Sequence, residues 1–378
     1  MTVSAPIRPR RPDRGYLSRP ARAAAPLVAG LVLAACGPSP VDMVDQPITT
    51  TPSRMAGEEL QRSAEPDESC APEPAPVEFP GGGERRVPSG VAGPDQVGVP
   101  RSPERILALG AGAVDVACAL GLQGLVVGTS GLPPDADVYL PASLLGLPDL
   151  AITAGSAPAG VADAARALGP DLIVVAADQV PDPDVARALA GVAPTVVYDS
   201  DVLRWSEATA EIADAYGRPR AGGDLLLDVI ERARITAGAT TPSDTWVSLL
   251  SVAGADGEAV SVQGPDTLGS LMLEAVGAGR PPAQRTRDGR GVPPAPESPP
   301  VGDPLDGDVI FAVVGGGDRS EEAAREVFAS TRWRDLDAVG ARRVFVVDRA
   351  VWEGAGPVAA RAVLDDIRNS INGIAPDG

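Results

Sequence analysis

The chain contains no histidine and no lysine, so all 32 basic residues are arginine. Without histidine there is no Ser-His-Asp or Cys-His catalytic set and no imidazole metal site. Without lysine the Gly-Lys-Ser/Thr ending of a P-loop is excluded. Gly315-Gly316-Gly317 therefore reads as a turn. Gly110-Ala111-Gly112 lacks the third glycine of a dinucleotide fingerprint and reads as a tight strand-to-helix turn. Aromatics make up only 3% of residues, so a core must be built from Ala, Val, Leu and Ile. Asp365-Asp366 falls on a predicted helix, where adjacent positions do not share a face. No catalytic centre emerges, and the sequence predicts no enzyme.

What is present is strongly acidic. The net charge is −19, and the first 35 residues alone carry six arginines against one aspartate. The rest is more acidic still, which argues against nucleic-acid binding by phosphate neutralisation. Residues 1–35 read as a signal peptide: a basic start to Arg22, then the apolar run Ala23–Ala35. That run falls well short of the roughly 20 residues a membrane-spanning helix needs. Leu33-Ala34-Ala35-Cys36 is similar to a bacterial lipobox, with Cys36 as the lipidated residue and palmitate among the expected acyl chains. The competing reading is an uncleaved anchor with an incidental cysteine. Cys70 and Cys118 are expected to form a disulfide in an oxidising compartment, worth roughly 4 kcal/mol in the chain-entropy account. Two reduced cysteines are the alternative.

Residues 36–100, rich in Pro, Gly, Ser, Asp and Glu, read as a lipidated tether and irregular N-terminal arm. From Arg105 short apolar runs alternate with helix-length Ala/Leu segments, which predicts a parallel sheet covered by helices. Strands are expected at 105–109, 125–128, 171–176 and 195–198, and again at 246–252, 259–263, 308–314 and 344–347. The domain plan is an N-terminal α/β lobe over 101–204, connecting helices over 205–240, a C-terminal α/β lobe over 241–355, and a C-terminal helix and tail over 356–378.

Binding candidates are few. Arg280 and Arg285 flank a Pro-rich loop, and arginine forks hold carboxylates and other anionic oxygens well. A solvated basic loop is the plainer reading. Tyr139 lies in a polar loop as a cleft residue or phenolate ligand, and Trp352 follows a strand as a stacking residue. Ordinary packing competes for both.

Pro103-Glu104-Arg105-Ile106, Ala119-Leu120-Gly121-Leu122, Val126-Val127-Gly128, Gly169-Pro170-Asp171-Leu172-Ile173 and Ala193-Pro194-Thr195-Val196-Val197 occur in that order. They are followed by Trp333-Arg334-Asp335-Leu336, Arg343–Val347 and Val363–Ile367. This series resembles the iron-siderophore and cobalamin binding proteins of ABC importers. Asp67–Cys70 and the Arg280–Arg285 loop are similar to ferric-dicitrate-type lipoproteins of mycobacteria and other actinobacteria. The resemblance implies an α/β fold of two Rossmann-like lobes joined by one long helix, with ligand held in the cleft between them. It implies cleft positions at Ser156 and Gln263 beside Arg280, Arg285 and Trp352. Asp163 falls at the first-lobe permease-docking position, where a glutamate is usual. In the second lobe Pro299–Pro304 replaces the expected helix start.

The expected function is a monomeric, lipid-anchored receptor on the extracytoplasmic face of a bacterial, actinobacterial membrane. It would capture a ferric siderophore-type chelate, or haem, for an ABC permease, with no resident cofactor or metal. The alternative is an envelope interaction or assembly protein using the same fold without transport.

Overall fold

The computed structural model describes residues 69–90, 95–240, 245–252, 259–284 and 303–371. All belong to one compact unit, Pro47–Gly378. The expected signal peptide and Cys36 lie outside the described residues. Among those described, no helix is long and apolar enough to cross a membrane.

The first lobe opens with an antiparallel hairpin, β1 (Glu84–Pro88) and β2 (Gln96–Pro100). Then follow β3 (Ile106–Leu109), α1 (Ala111–Ala119), β4 (Val126–Ser130), α2 (Ala142–Leu145), α3 (Pro158–Leu168), β5 (Leu172–Ala176), α4 (Pro183–Ala190) and β6 (Thr195–Tyr198). α5 (Trp205–Ala215) and the long α6 (Pro219–Thr240) lead out of it. The second lobe holds β7 (Val247–Val252), β8 (Val260–Val262), α7 (Leu268–Ala275), β9 (Val309–Val314) and α8 (Asp318–Ala329). It ends with α9 (Thr331–Arg334), α10 (Asp337–Gly340), β10 (Val344–Asp348), α11 (Arg349–Trp352) and α12 (Pro357–Ile371).

The first sheet runs β4-β3-β5-β6 and is all parallel. The second runs β10-β9-β7-β8, with β8 antiparallel to β7. Central strands such as β5 (LIVVA) and β9 (VIFAVV) are buried along their whole length. That is what a sheet covered on both faces demands, and why these strands read as unbroken apolar runs.

One face of the first sheet packs Leu107, Leu109, Ile173 and Val175 against α3 and α4. The matching outer face of the second sheet packs Ile310, Ala312 and Val346 against Ala324, Trp333 and Leu336. The other faces of both sheets join in a single core. It runs from Ile106 and Ala108 through α1, α5 and α12 to Phe311 and Val313. The two lobes therefore share one apolar interior.

The N-terminal arm, expected to be irregular up to residue 100, is part of this body from residue 69. Cys70 and Cys118 are disulfide-bonded, with Cα atoms 4.5 Å apart. Past the disulfide, the Ala71 and Ala75 N–H groups donate to Cys118 O and Leu120 O, at 3.0 and 2.8 Å. Glu78 Oε1 then accepts from the Arg220 and Ala221 N–H groups, at 2.6 and 3.3 Å. These are orphan donors in the first turn of α6, so the arm caps the helix that joins the lobes. In the hairpin, Val87 and Val99 face each other's neighbours with no exposure.

Candidate functional site

In open α/β sheets ligands gather outside the carboxyl ends of the strands. In this chain those ends meet at the junction of the lobes. At the end of β3, Gly110 turns the chain with φ 112°, and a Cβ there would lie 2.5 Å from Ala176 Cβ and 2.6 Å from Tyr198 Oη. Only glycine suits such a turn. The first turn of α1 is then satisfied from β6, because Ala113 N–H donates to Tyr198 Oη at 3.2 Å. Tyr216 Oη donates to Ala113 O at 2.9 Å.

Two aspartates of the first lobe reach the second. Asp115 of α1 is fully buried and accepts from the Val358 and Ala359 N–H groups at 2.8 and 3.0 Å. It is the N-terminal cap of α12, supplied across the lobe junction. Burial pushes its pKa up to about 6, against the pull of those two hydrogen bonds and of Arg361. Asp135, in the turn after β4, accepts from the Gly316 N–H at 2.7 Å through Oδ2. A Cβ on Gly316 would meet Asp135 Cβ at 2.5 Å, so the Gly315–Gly317 run makes room for this contact.

Beside them lies a polar cluster of the second lobe. Gln263 Nε2 donates to Glu353 Oε1 at 2.7 Å. Arg349 Nε stands 3.9 Å from the same oxygen, and its Nη2 donates to Val252 O at 3.2 Å. Burial raises the Glu353 pKa, Arg349 and the Gln263 hydrogen bond lower it, and Asp135 raises it again. The carboxylates of the two lobes thus feel each other.

The sequence candidates fall in different places. Gln263 belongs to this cluster. Arg280 is close by, but Nη2 donates to backbone oxygens, Gln263 O at 2.9 Å and Leu249 O at 3.4 Å. Burial lowers its pKa to about 10. Its guanidinium braces the β7–β8 ladder, which corrects the expectation of an arm reaching for anions in a loop. Arg285 lies outside the described residues. Ser156 is half-buried in the loop before α3 and accepts from Thr153 N–H at 2.9 Å, apart from the cluster. Trp352 is core: it has no exposure, its ring lies 4.6 Å from that of Phe311, and Nε1 donates to Asp366 Oδ2 at 3.0 Å. It has no face left for a ligand. Tyr139 is likewise buried, at 3% exposure. Desolvation, with Asp115, Asp135 and Tyr198 adding to it, keeps its phenol protonated, which disfavours a phenolate ligand. Asp163 is exposed on α3, paired with Arg166 at 2.5 Å.

Sequence reasoning missed Asp115, Asp135, Arg349 and Glu353. Pro133-Pro134-Asp135 looks like any turn, and nothing local marks an aspartate that caps a helix more than 240 residues away.

Searches among known proteins agree with this architecture. Residues 106–351 match the family model described as periplasmic binding protein. A probable siderophore-binding lipoprotein of Bacillus subtilis, YfiY, is 25% identical over 283 residues, covering 71% of this chain and 82% of the relative. Staphylococcus aureus SirA, solved with staphyloferrin B, superposes with a TM-score of 0.56 at 20% identity, over 76% of this chain and 98% of SirA. The siderophore periplasmic binding protein of the fuscachelin gene cluster of Thermobifida fusca gives 0.55 at 25% identity, over 73% and 99%. These are binding proteins rather than enzymes, and an extracytoplasmic class. Two lobes with facing strand ends, one shared core and a family match over more than half of its length show that the chain belongs to the periplasmic binding protein family.

Proposed function

We propose that this chain is the extracytoplasmic receptor of an ABC importer, capturing an intact ferric siderophore-type chelate between its lobes. The observation that carries the reading is the lobe junction, where polar groups of both lobes converge at the strand ends: Asp135 from one, Gln263, Arg349 and Glu353 from the other. The B. subtilis relative, described as siderophore-binding, supports the ligand class. Among the described residues no three His, Cys, Asp or Glu side chains converge as a metal cage. Iron therefore fits best as cargo already wrapped in its chelator. Haem is the weaker ligand, since the chain has no histidine to offer as an axial ligand.

Lipidation at Cys36 would tether the receptor to the membrane, and Asp163 would contact an arginine of the permease. The receptor is proposed to act as a monomer. The alternative role in envelope assembly without transport has no comparable support among the relatives.

The test is a titration of the chain from Gly37 onward with ferric hydroxamate, catecholate and citrate complexes and with haem, followed by tryptophan fluorescence. Trp352, packed at the junction, is the expected reporter. Saturable quenching by one class supports the receptor. Flat traces for every chelate at tens of micromolar, on protein shown to be folded, overturn it.

A further inference from the structure

In the first sheet, ordered β4-β3-β5-β6, the chain leaves β3 towards one edge and later returns to start β5 on the other side. The switch point between β3 and β5 is where an open α/β sheet gathers its ligand. Gln179 stands there, in the short turn Ala177–Gln179 that follows β5. Its side chain reaches across β3 to the end of β4, where Ser130 Oγ donates to Gln179 Oε1 at 2.8 Å. Gly131 is next in the chain, with φ 70°. A Cβ there would lie 2.7 Å from Cδ and 2.8 Å from both Nε2 and Oε1 of Gln179. The glycine thus seats the amide, and the hydroxyl sets which way round it lies. The turn is also held from β6, since Asp178 N–H donates to Ser200 Oγ at 3.2 Å. With Oε1 engaged by Ser130, the donor Nε2 is the open end. Among the described residues Nε2 has no hydrogen-bond partner, and Gln179 is half-exposed, so a ligand can reach it.

We propose that Gln179 is the first-lobe contact for the captured chelate, giving its Nε2–H to a carbonyl-type oxygen, and that this chelate is an uncharged ferric hydroxamate. The inference rests on the receptor reading above and names the ligand class of that site. A primary amide is a neutral donor that suits a neutral acceptor. An anionic rim is held by arginine forks instead. The first-lobe loops at these strand ends, 131–141, 177–182 and 199–204, offer none. In them Asp135, Asp137, Asp178, Asp182, Asp199 and Asp201 stand against a single cation, Arg204, which is paired with Asp199 at 3.4 Å. In the second lobe Arg349 is matched by Glu353. Three hydroxamates neutralise ferric iron and leave a complex without net charge. Three catecholates leave it with three negative charges, which these loops would repel. Ser130 acts through Gln179, as a positioning residue.

The probes are the ferric complex of N-acetyl desferrioxamine B, an uncharged trihydroxamate, and ferric enterobactin, a tris-catecholate. Both are titrated into the chain from Gly37 onward. The hydroxamate is expected to bind more tightly. Gln179→Leu should weaken it about tenfold, the scale of one lost hydrogen bond that leaves its partner unmet. Gln179→Glu can still accept from Ser130 but turns the donor into a charged acceptor, so it should weaken binding at least as much. Circular dichroism and Tm confirm the fold of each variant. Ser130→Ala should weaken binding several-fold in the wild-type background and not at all in Gln179→Leu, a coupling that a purely structural role would not produce. Hydroxamate binding left unchanged by both Gln179 variants overturns the contact. Tighter binding of the catecholate overturns the ligand class. In either case the receptor reading stands. A Ser130→Ala effect that persists in Gln179→Leu overturns the positioning role. If neither these complexes nor ferric citrate binds, the receptor reading fails and this inference falls with it.

Discussion

Asp115 carries much of the junction on one side chain. As an ionised carboxylate it satisfies two orphan N–H groups of α12, but with no solvent exposure it is poorly hydrated. Its surroundings are Arg361 of α12, which favours the charge, and the phenols of Tyr139 and Tyr198, which burial above all keeps protonated. Its folded pKa of about 6 lies above the ordinary value of 3.8. Between those limits the folded state binds more protons than the unfolded one, so this group makes stability rise as pH falls through about 6 towards 4. Asp115→Asn removes that contribution. The stability difference between wild type and variant should shift in favour of wild type by up to ~1.4 kcal/mol per pH unit across the window. Urea unfolding of both proteins at pH 4.5, 5.5 and 7 measures it. Parallel pH profiles would show that Asp115 titrates at its ordinary value.

Among the elements, α6 depends on a segment that its own sequence does not announce. Its first turn is capped by Glu78, and the arm bearing Glu78 is pinned to α1 by the Cys70–Cys118 disulfide. Glu78→Ala should cost about 1 kcal/mol, the usual worth of a cap. The paired change Cys70→Ser, Cys118→Ser should cost about 2–4 kcal/mol. Because both devices fix one arm, the combined variant should cost less than their sum. Guanidinium denaturation of the three variants decides this, and strict additivity would separate the two devices. The arm also shows what the sequence hides. Strands such as Leu172–Ala176 were legible because burial on both faces writes an apolar run. The hairpin Glu84–Pro100 was not, since Arg, Gly and Pro fill an edge ribbon of which only one residue per strand is fully buried. Of the site, Gln263 was reached by resemblance. Asp135 and Glu353 were not, because their meaning lies in partners supplied by the opposite lobe. Tyr139 and Trp352 misled for the converse reason: in a chain with 3% aromatics, a rare ring is as valuable to the core as to a cleft.

At the scale of the molecule, the shared core limits how the lobes can part. Opening them would strip α1 from α12 and expose the Asp115 cap, so loading should proceed with little change of shape. Small-angle scattering of the free and loaded protein should agree in radius of gyration within about 1 Å. A receptor that barely changes shape must signal loading to its permease by surface contacts at each lobe. In the first lobe Asp163 is 74% exposed and its partner Arg166 59% exposed. An exposed pair of this kind is worth about 0–1 kcal/mol, so an incoming permease arginine can displace Arg166 at small cost. In the second lobe the sequence offers no matching docking acid, since Pro299–Pro304 stands where a helix start is expected. Docking would then lean on the first lobe, and Asp163→Ala should lower chelate uptake several-fold while chelate affinity in solution stays the same. Asp184→Ala serves as the control, since Asp184 is paired in the same way with Arg187 on α4. Uptake lost to the same degree in both variants would assign the effect to the general acidity of this face, and uptake kept in both would move the docking surface elsewhere.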